Sequence, residues 1–225
     1  MKWIKYGITL SRITENDIEL VRQWRNHPDI MKTMQFRDFI TPEMQKKWFH
    51  SINNNNNFYY IIQFKNDKIG MINNKNVDWT ERTSEAGIFI WDESHDFAPL
   101  LASLLLCEAG FYILQGGNSF VRTLRTNNKA IDYNLMLGYE LYKDDPSEAT
   151  QLYRLTCENF ENNARKLREA ALRHSGNDPM MYMILEKHDY ESGLAQFIES
   201  MEKDFNLNYD FRFEKGEKIY SCVVG

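Results

Sequence analysis

A chain of 225 residues with 43% hydrophobic and 26% charged residues can bury a sizeable core, and that balance excludes wholesale disorder. The net charge of −5 comes with Lys and Arg scattered rather than striped, so the electrostatic footprint of a nucleic-acid binder is missing. Cys107, Cys157 and Cys222 lie far apart, without C-x-x-C spacing and away from any histidine cluster, which points away from both a metal site and a disulfide scaffold.

The first residues carry no apolar run of the signal-peptide kind, so a cytoplasmic protein is expected. Ile8 to Ile13 alternates as a strand, and Thr14 with Asp17 caps a helix that carries Ile18, Leu20, Val21 and Trp24 and ends near Pro28. Thr41-Pro42 opens a second helix with Met44, Trp48, Phe49 and Ile52 on one face. Five asparagines, Asn53 to Asn57, make a surface connection. Phe58 to Phe64 and Ile69 to Ile72 read as a hairpin across Lys65-Asn66-Asp67-Lys68, with Glu85 to Trp91 as the third strand of the meander.

Pro99 opens a long apolar helix stopped by Gly116-Gly117. Ser103 and Glu108 within it, and its short length, favour a buried helix over a membrane span. Leu100, Leu104, Cys107, Phe111 and Leu114 form one apolar face and Leu101, Leu105, Ala109 and Tyr112 a second, so a sheet alone cannot cover it. Ser119 to Thr126 is a strand, Asn127 to Leu137 a helix closed by Gly138, and Tyr139 to Tyr142 and Gln151 to Leu155 are two further strands. The expected fold class is α/β, a mixed and mostly antiparallel sheet flanked by helices.

From Cys157 the pattern changes to an α+β extension. It comprises an amphipathic helix (Phe160, Ala164, Leu167, Ala171), a loop at Ser175 to Pro179, the apolar run Met180 to Leu185 read as core packing between helices, a helix at Leu194 to Met201, and a closing hairpin. In that hairpin Tyr209, Phe211 and Phe213 alternate before Ile219 to Val224 returns. Two units are therefore expected, residues 1–156 and 157–225, the second packing on the first or on another copy.

Four local sequences point further. They are Trp24-Arg25-Asn26 at the end of the first helix, Ile69-Gly70 in one strand, Glu85-Ala86-Gly87-Ile88-Phe89-Ile90 in the next, and Asn127-Asn-Lys-Ala130 through Leu137-Gly138-Tyr139. Together with the element order they resemble the GNAT superfamily of N-acyltransferases, in particular its branch with ribosomal-protein and nucleotide-sugar N-acetyltransferases, over about residues 8 to 156.

The resemblance implies direct attack of a neutral amine on the thioester of acetyl-CoA or another acyl-CoA, with no covalent enzyme intermediate. It implies Glu85 as proton acceptor, with a solvated strand end as the equal alternative, and backbone N–H groups near Ile90 and Trp91 as stabilisers of the oxyanion. The coenzyme would lie along Phe89, Ile90 and Trp91, with His95, Phe97, Ala98, Pro99, Leu100, Leu101 and Asn127 around its phosphates. The family often places a tyrosine as general acid where this chain has Asn134, and Tyr133 is adjacent but points elsewhere on the helix. Arg25 and Asn26 either meet the substrate or cap the helix, the capping role being favoured. The family's Arg/Gln-x-x-Gly-x-Gly/Ala loop is replaced by Ser94-His95-Asp96-Phe97-Ala98-Pro99, so the phosphate cradle loses its glycines and Phe97 either turns away or obstructs.

The function the resemblance implies is transfer of a short acyl group to a primary amine, with an amino sugar on a nucleotide as one acceptor. A binding module with weakened coenzyme affinity and a protein N-terminal acetyltransferase stay open as alternatives. A small-molecule amine is the expected partner, neither nucleic acid nor membrane is, and a homodimer is left open.

Overall fold

The structure is a computed structural model and describes residues 1–202 and 209–224; residues 203–208 and 225 of the C-terminal segment, and the side chain of Tyr209, lie outside the described residues. Strands β1 (Lys2–Lys5) and β2 (Ile8–Arg12) form a tight hairpin in which Lys5 faces Ile8. Its two loop residues, Tyr6 and Gly7, have φ of 58° and 75°, the backbone that a two-residue turn between twisted strands requires. A 3-10 turn at Glu15–Asp17, closed by a Thr14–Asp17 capping box, leads into α1 (Ile18–Arg25). Pro28 then occupies the first position of the short α2 (Pro28–Met31), and Thr41 caps α3 (Pro42–Ile52).

The meander follows as β3 (Phe58–Phe64), β4 (Asp67–Asp78) and β5 (Thr83–Ile90). Next come α4 (Ala98–Glu108), continued by a π-turn at Ala109–Ile113, then β6 (Asn118–Leu124), α5 (Asn128–Met136), β7 (Glu140–Lys143) and β8 (Thr150–Thr156). The C-terminal segment adds α6 (Cys157–His174), β9 (Met180–Leu185), α7 (Lys187–Glu191), α8 (Leu194–Ser200), β10 (Tyr209–Glu214) and β11 (Glu217–Val223). No helix among the described residues is long and apolar enough to cross a membrane.

All eleven strands join one sheet in the order β10-β11-β9-β1-β2-β3-β4-β5-β6-β8-β7. Among the described residues β5 and β6 pair in parallel and every other neighbour is antiparallel. The methionine run expected as core packing is strand β9, with Met181, Met183 and Leu185 buried on alternate positions and its backbone paired with β1 and β11. The extension therefore removes the edge that β1 would otherwise expose.

The sheet buries two faces. On one, Ile13, Tyr59, Ile61, Met71 and Phe89 cluster with Val21 of α1 and Phe49 and Ile52 of α3. The other face holds α4 with Trp3, Leu10, Tyr60 and Leu155, and the same cluster continues through Phe160 and Ala164 of α6, Leu185 of β9 and Ile198 of α8. Thus α6 packs on a flank of α4 that the sheet leaves open.

Between them sits a buried ionic cluster. Glu108 of α4 is fully buried and accepts from Lys5 Nζ at 2.8 Å, from the Tyr6 hydroxyl at 2.7 Å and from Arg168 Nε of α6 at 2.7 Å, while Lys5 also donates to the Val224 carbonyl at 2.6 Å. Burial pushes Lys5 down from its ordinary value against the pull of Glu108.

Two motif glycines have steric reasons. A Cβ on Gly70 would stand 2.6 Å from the Phe89 carbonyl oxygen, so β4 and β5 reach their register only without one. Gly138 has φ of +98°, and a Cβ there would stand 2.7 Å from the Asn159 carbonyl oxygen, where α5 ends against α6. Gly70→Ala is expected to lower stability by about 1 to 3 kcal/mol through this overlap, read as a shifted midpoint in urea.

Candidate active site

The site is a gap in the sheet. The β5–β6 ladder pairs Thr83 with Asn118 through Ala86 with Val121 and then stops, although β5 runs on to Ile90 and β6 to Leu124. On its other side β5 stays paired with β4 up to Gly70 with Ile90. Hydrogen bonding alternates along an antiparallel strand, and the Trp91 N–H donates to the Ile69 carbonyl at 3.0 Å. Phe89 and Gly87 therefore bond to β4, and the N–H and C=O groups of Ile88 and Ile90 face the gap.

This corrects the expected oxyanion donors. Ile90 fits, but Trp91 has its amide on Ile69, its indole N–H on the Lys68 carbonyl at 2.6 Å and its ring stacked on Trp24 at 6.0 Å. The residue that joins Ile90 is Ile88, which the sequence does not single out.

Beneath the gap is an open cleft between β5, β6, α4 and α5. Ala86, Gly87 and Ile88 line it with Ser103 and Cys107 of α4, Ser119 of β6, and Tyr133, Asn134 and Tyr139. Tyr133 and Asn134 both reach it, where Tyr133 was expected to point elsewhere on the helix. The Tyr133 hydroxyl stands 2.9 Å from the Pro99 carbonyl oxygen and 2.8 Å from Ser103 Oγ. Asn134 donates from Nδ2 to Thr123 Oγ1 at 3.0 Å and carries no acidic proton, so it cannot serve as general acid. Tyr139 pairs with Ser119 at 2.9 Å. Burial raises the phenols of Tyr133 and Tyr139, which keeps both protonated, and pushes the Cys107 thiol up to about 12, which removes it as a nucleophile.

The loop before α4 departs from expectation in most of its members. His95 turns to Asp67, with Nε2 at 3.3 Å from the carboxylate, and packs edge-on to Phe64, so it does not present itself at the helix start. The Ala98 amide is taken by the His95 carbonyl, Pro99 has none, and the Leu101 amide is taken by the Phe97 carbonyl. Leu100 is left as the first-turn amide without an acceptor among the described residues. Asn127 spends its Oδ1 capping α5 through the Ala130 amide at 3.1 Å.

Phe97 resolves one question directly. It precedes Glu108 by about three turns and so shares the flank that faces α6, and its ring lies 6.1 Å from His174 at the end of α6. The cleft is lined instead from the flank of Ser103 and Cys107. With 65% of its surface exposed, Phe97 leans away from the gap rather than filling it.

The opposite face of β5 carries Glu85, Phe89 and Trp91 by alternation. Glu85 is bridged by Lys75 Nζ at 2.9 Å and Arg122 Nε at 3.6 Å. Arg25 lies over the Phe89 ring at 5.8 Å, its buried Nε has no hydrogen-bond partner, and it forms no ion pair among the described residues. Burial pushes its guanidinium down from the ordinary arginine value, with Tyr59 opposing. Asn26 is the C-cap residue of α1, its backbone N–H donating to the Arg22 carbonyl at 3.0 Å, and its side-chain amide exchanges two 2.8 Å hydrogen bonds with the backbone of Ile40, pinning the loop before α3.

A mixed sheet that splays between two parallel strands, with a helix starting beyond the splay, defines the architecture of acyl-CoA-dependent acyltransferases. The acetyltransferase (GNAT) domain model matches residues 8–140, more than half of the chain, and the chain belongs to that family, as an acyl-CoA-dependent N-acyltransferase. Acetyltransferase PseH of Campylobacter jejuni subsp. jejuni is 24% identical over 136 residues, 60% of this chain and 84% of the relative. Among solved structures, spermidine N-acetyltransferase from Vibrio cholerae in complex with CoA and spermine aligns with a TM-score of 0.60 at 16% identity, over 69% of this chain and 99% of that one. Apo FdhC, a nucleotide-linked sugar GNAT, aligns with a TM-score of 0.62 at 19% identity, over 72% of this chain and 94% of that one.

Proposed function

We propose that the chain transfers a short acyl group, acetyl in the simplest case, from acyl-CoA to the primary amine of an amino sugar carried on a nucleotide. The observation that carries this reading is Arg25, a partly desolvated cation without a counter-ion among the described residues, on the face of β5 opposite the coenzyme cleft. A buried unpaired cation is costly unless a ligand completes it, and a diphosphate does so with charge-assisted hydrogen bonds. A polyamine would meet repulsion at the same place, so the likeness to FdhC carries more weight than that to the spermidine enzyme.

Binding begins with the coenzyme pyrophosphate at the Leu100 amide and the positive end of α4, and the pantetheine arm pairs with the free backbone of Ile88 and Ile90. The amine nitrogen attacks the thioester carbonyl, the C–N bond forms, and the oxyanion is stabilised by N–H groups of β5. Glu85 takes the amine proton directly or through a water. The C–S bond then breaks, and the thiolate leaves toward Tyr133 or Tyr139, either of which holds a phenolic proton to give it. The free state of all three cysteines fits a cytoplasmic setting.

Assays with acetyl-CoA and a panel of nucleotide-linked amino sugars, the free amino sugars and spermidine test the reading. A nucleotide-linked sugar is expected to be the preferred acceptor, and Arg25→Ala is expected to raise its KM about tenfold to hundredfold while leaving the free sugar unaffected. Preference for spermidine, or equal losses on both sugars, would contradict it.

A further inference from the structure

Behind the coenzyme cleft lies a second, partly open cavity, of about 130 Å³, on the same face of the sheet. The two share a wall: Asn74, Ser84, Leu106, Gly110 and Gly116 line both. The second cavity is bounded by Trp3, Phe58, Tyr60 and Trp79, by Leu114, and by Met201 at the end of α8. Trp79 is held there by Phe58 at 5.9 Å and by Phe197 of α8 at 5.4 Å, both edge-on. Thus the C-terminal segment, which lies beyond the matched family model, supplies part of this wall.

The junction is built around Gly110. It stands in the π-turn Ala109–Ile113, where the Leu114 amide reaches back to the Ala109 carbonyl at 2.9 Å and the Gly116 amide to the Gly110 carbonyl at 2.8 Å. A Cβ placed on Gly110 would meet nothing within 4 Å. No turn geometry demands glycine here, since φ is not positive, and glycine inside a helix is unfavourable relative to alanine. The empty position at the mouth between two cavities is the reason the geometry gives for it.

We propose that the second cavity receives the tail of the acyl group, so that the chain accepts straight acyl-CoA donors from butyryl to octanoyl, with Gly110 as the residue that sets the length. This rests on the acyl transfer proposed above and concerns its donor. The step is unchanged: the amine nitrogen bonds to the acyl carbon, Glu85 takes the amine proton, the C–S bond breaks, and the coenzyme thiolate takes a proton from Tyr133 or Tyr139. Only the tail differs, passing Gly110 into a chamber walled by Trp79, Phe58 and Met201. Apolar burial then favours the longer donor by at most about fourfold in affinity per methylene, equivalent to ~0.8 kcal/mol.

The test is calorimetric titration of the full chain with acetyl-, butyryl-, hexanoyl- and octanoyl-CoA, which needs no acceptor, followed by acyl transfer to the amino-sugar panel. Affinity is expected to rise at least tenfold from acetyl- to hexanoyl-CoA. Gly110→Leu, a change toward a better helix former, is expected to abolish that rise in the ratio of hexanoyl- to acetyl-CoA affinity. Equal or falling affinity along the series overturns the proposal, as does a Gly110→Leu ratio equal to the parent's. A rise with length but no acylation of any sugar would overturn the acceptor reading and leave the chamber standing. Failure of every donor to bind would overturn both.

Discussion

Glu108→Gln is expected to lower the unfolding free energy by about 3 to 5 kcal/mol, the cost of leaving buried charges uncompensated. The carboxylate is fully buried, is shared by Lys5 and Arg168, and also accepts from Tyr6, so an amide in its place keeps the shape and removes the charge. Two cations then stay in the core with no fully buried carboxylate beside them among the described residues, offset by the Val224 carbonyl, the half-exposed Glu161 and the rings of Tyr6, Tyr112 and Phe160. Urea denaturation of the two proteins reads the difference; a loss below about 1 kcal/mol would mean that the cluster is solvated in solution. Lys5→Met with Glu108→Leu and Arg168→Met together is expected to cost far less than Glu108→Gln alone, because no charge is left without its partner.

Ending the chain at residue 156 is expected to be the more drastic change. It removes Arg168 from Glu108, strips Phe160 and Ala164 from the α4 flank, and frees the backbone of β1 that β9 now pairs. An open apolar edge of this kind templates association. The shortened chain is expected to be aggregated or to melt far below the full chain; a soluble monomer of unchanged melting temperature would show that the extension is a separate unit.

Most of the element order was legible because the hydrophobic periods are strong and the caps are explicit: Thr14, Thr41 and Asn127 all start helices as their side chains suggest. What escaped was long-range. Strand β1 has only four residues, and its turn uses Tyr6-Gly7 rather than an asparagine–glycine pair, so no local signal marks it. The Met180–Leu185 run could be packed helix or strand by composition alone, and only the pairing partner β1 decides between them.

The candidate site was legible as a place and not as a set of atoms. The resemblance located β5 and the start of α4, but which amides are free depends on register: Trp91 is consumed by Ile69, and Leu101 by Phe97. Arg25 stood out in a motif, while its lack of a partner is visible only in three dimensions. Ser119 and Tyr139 meet across the fold, and no spacing in the chain announces that they do.

Acyl-CoA is expected to lie in the gap between β5 and β6 and to pair with the free backbone of β5. Residue-resolved amide hydrogen exchange with and without saturating CoA tests it most directly. The Ile88 and Ile90 amides are expected to slow markedly on binding, while those of Phe89 and Trp91, already bonded to β4, change little. Saturation without any slowing at Ile88 and Ile90 would place the coenzyme elsewhere and contradict the account.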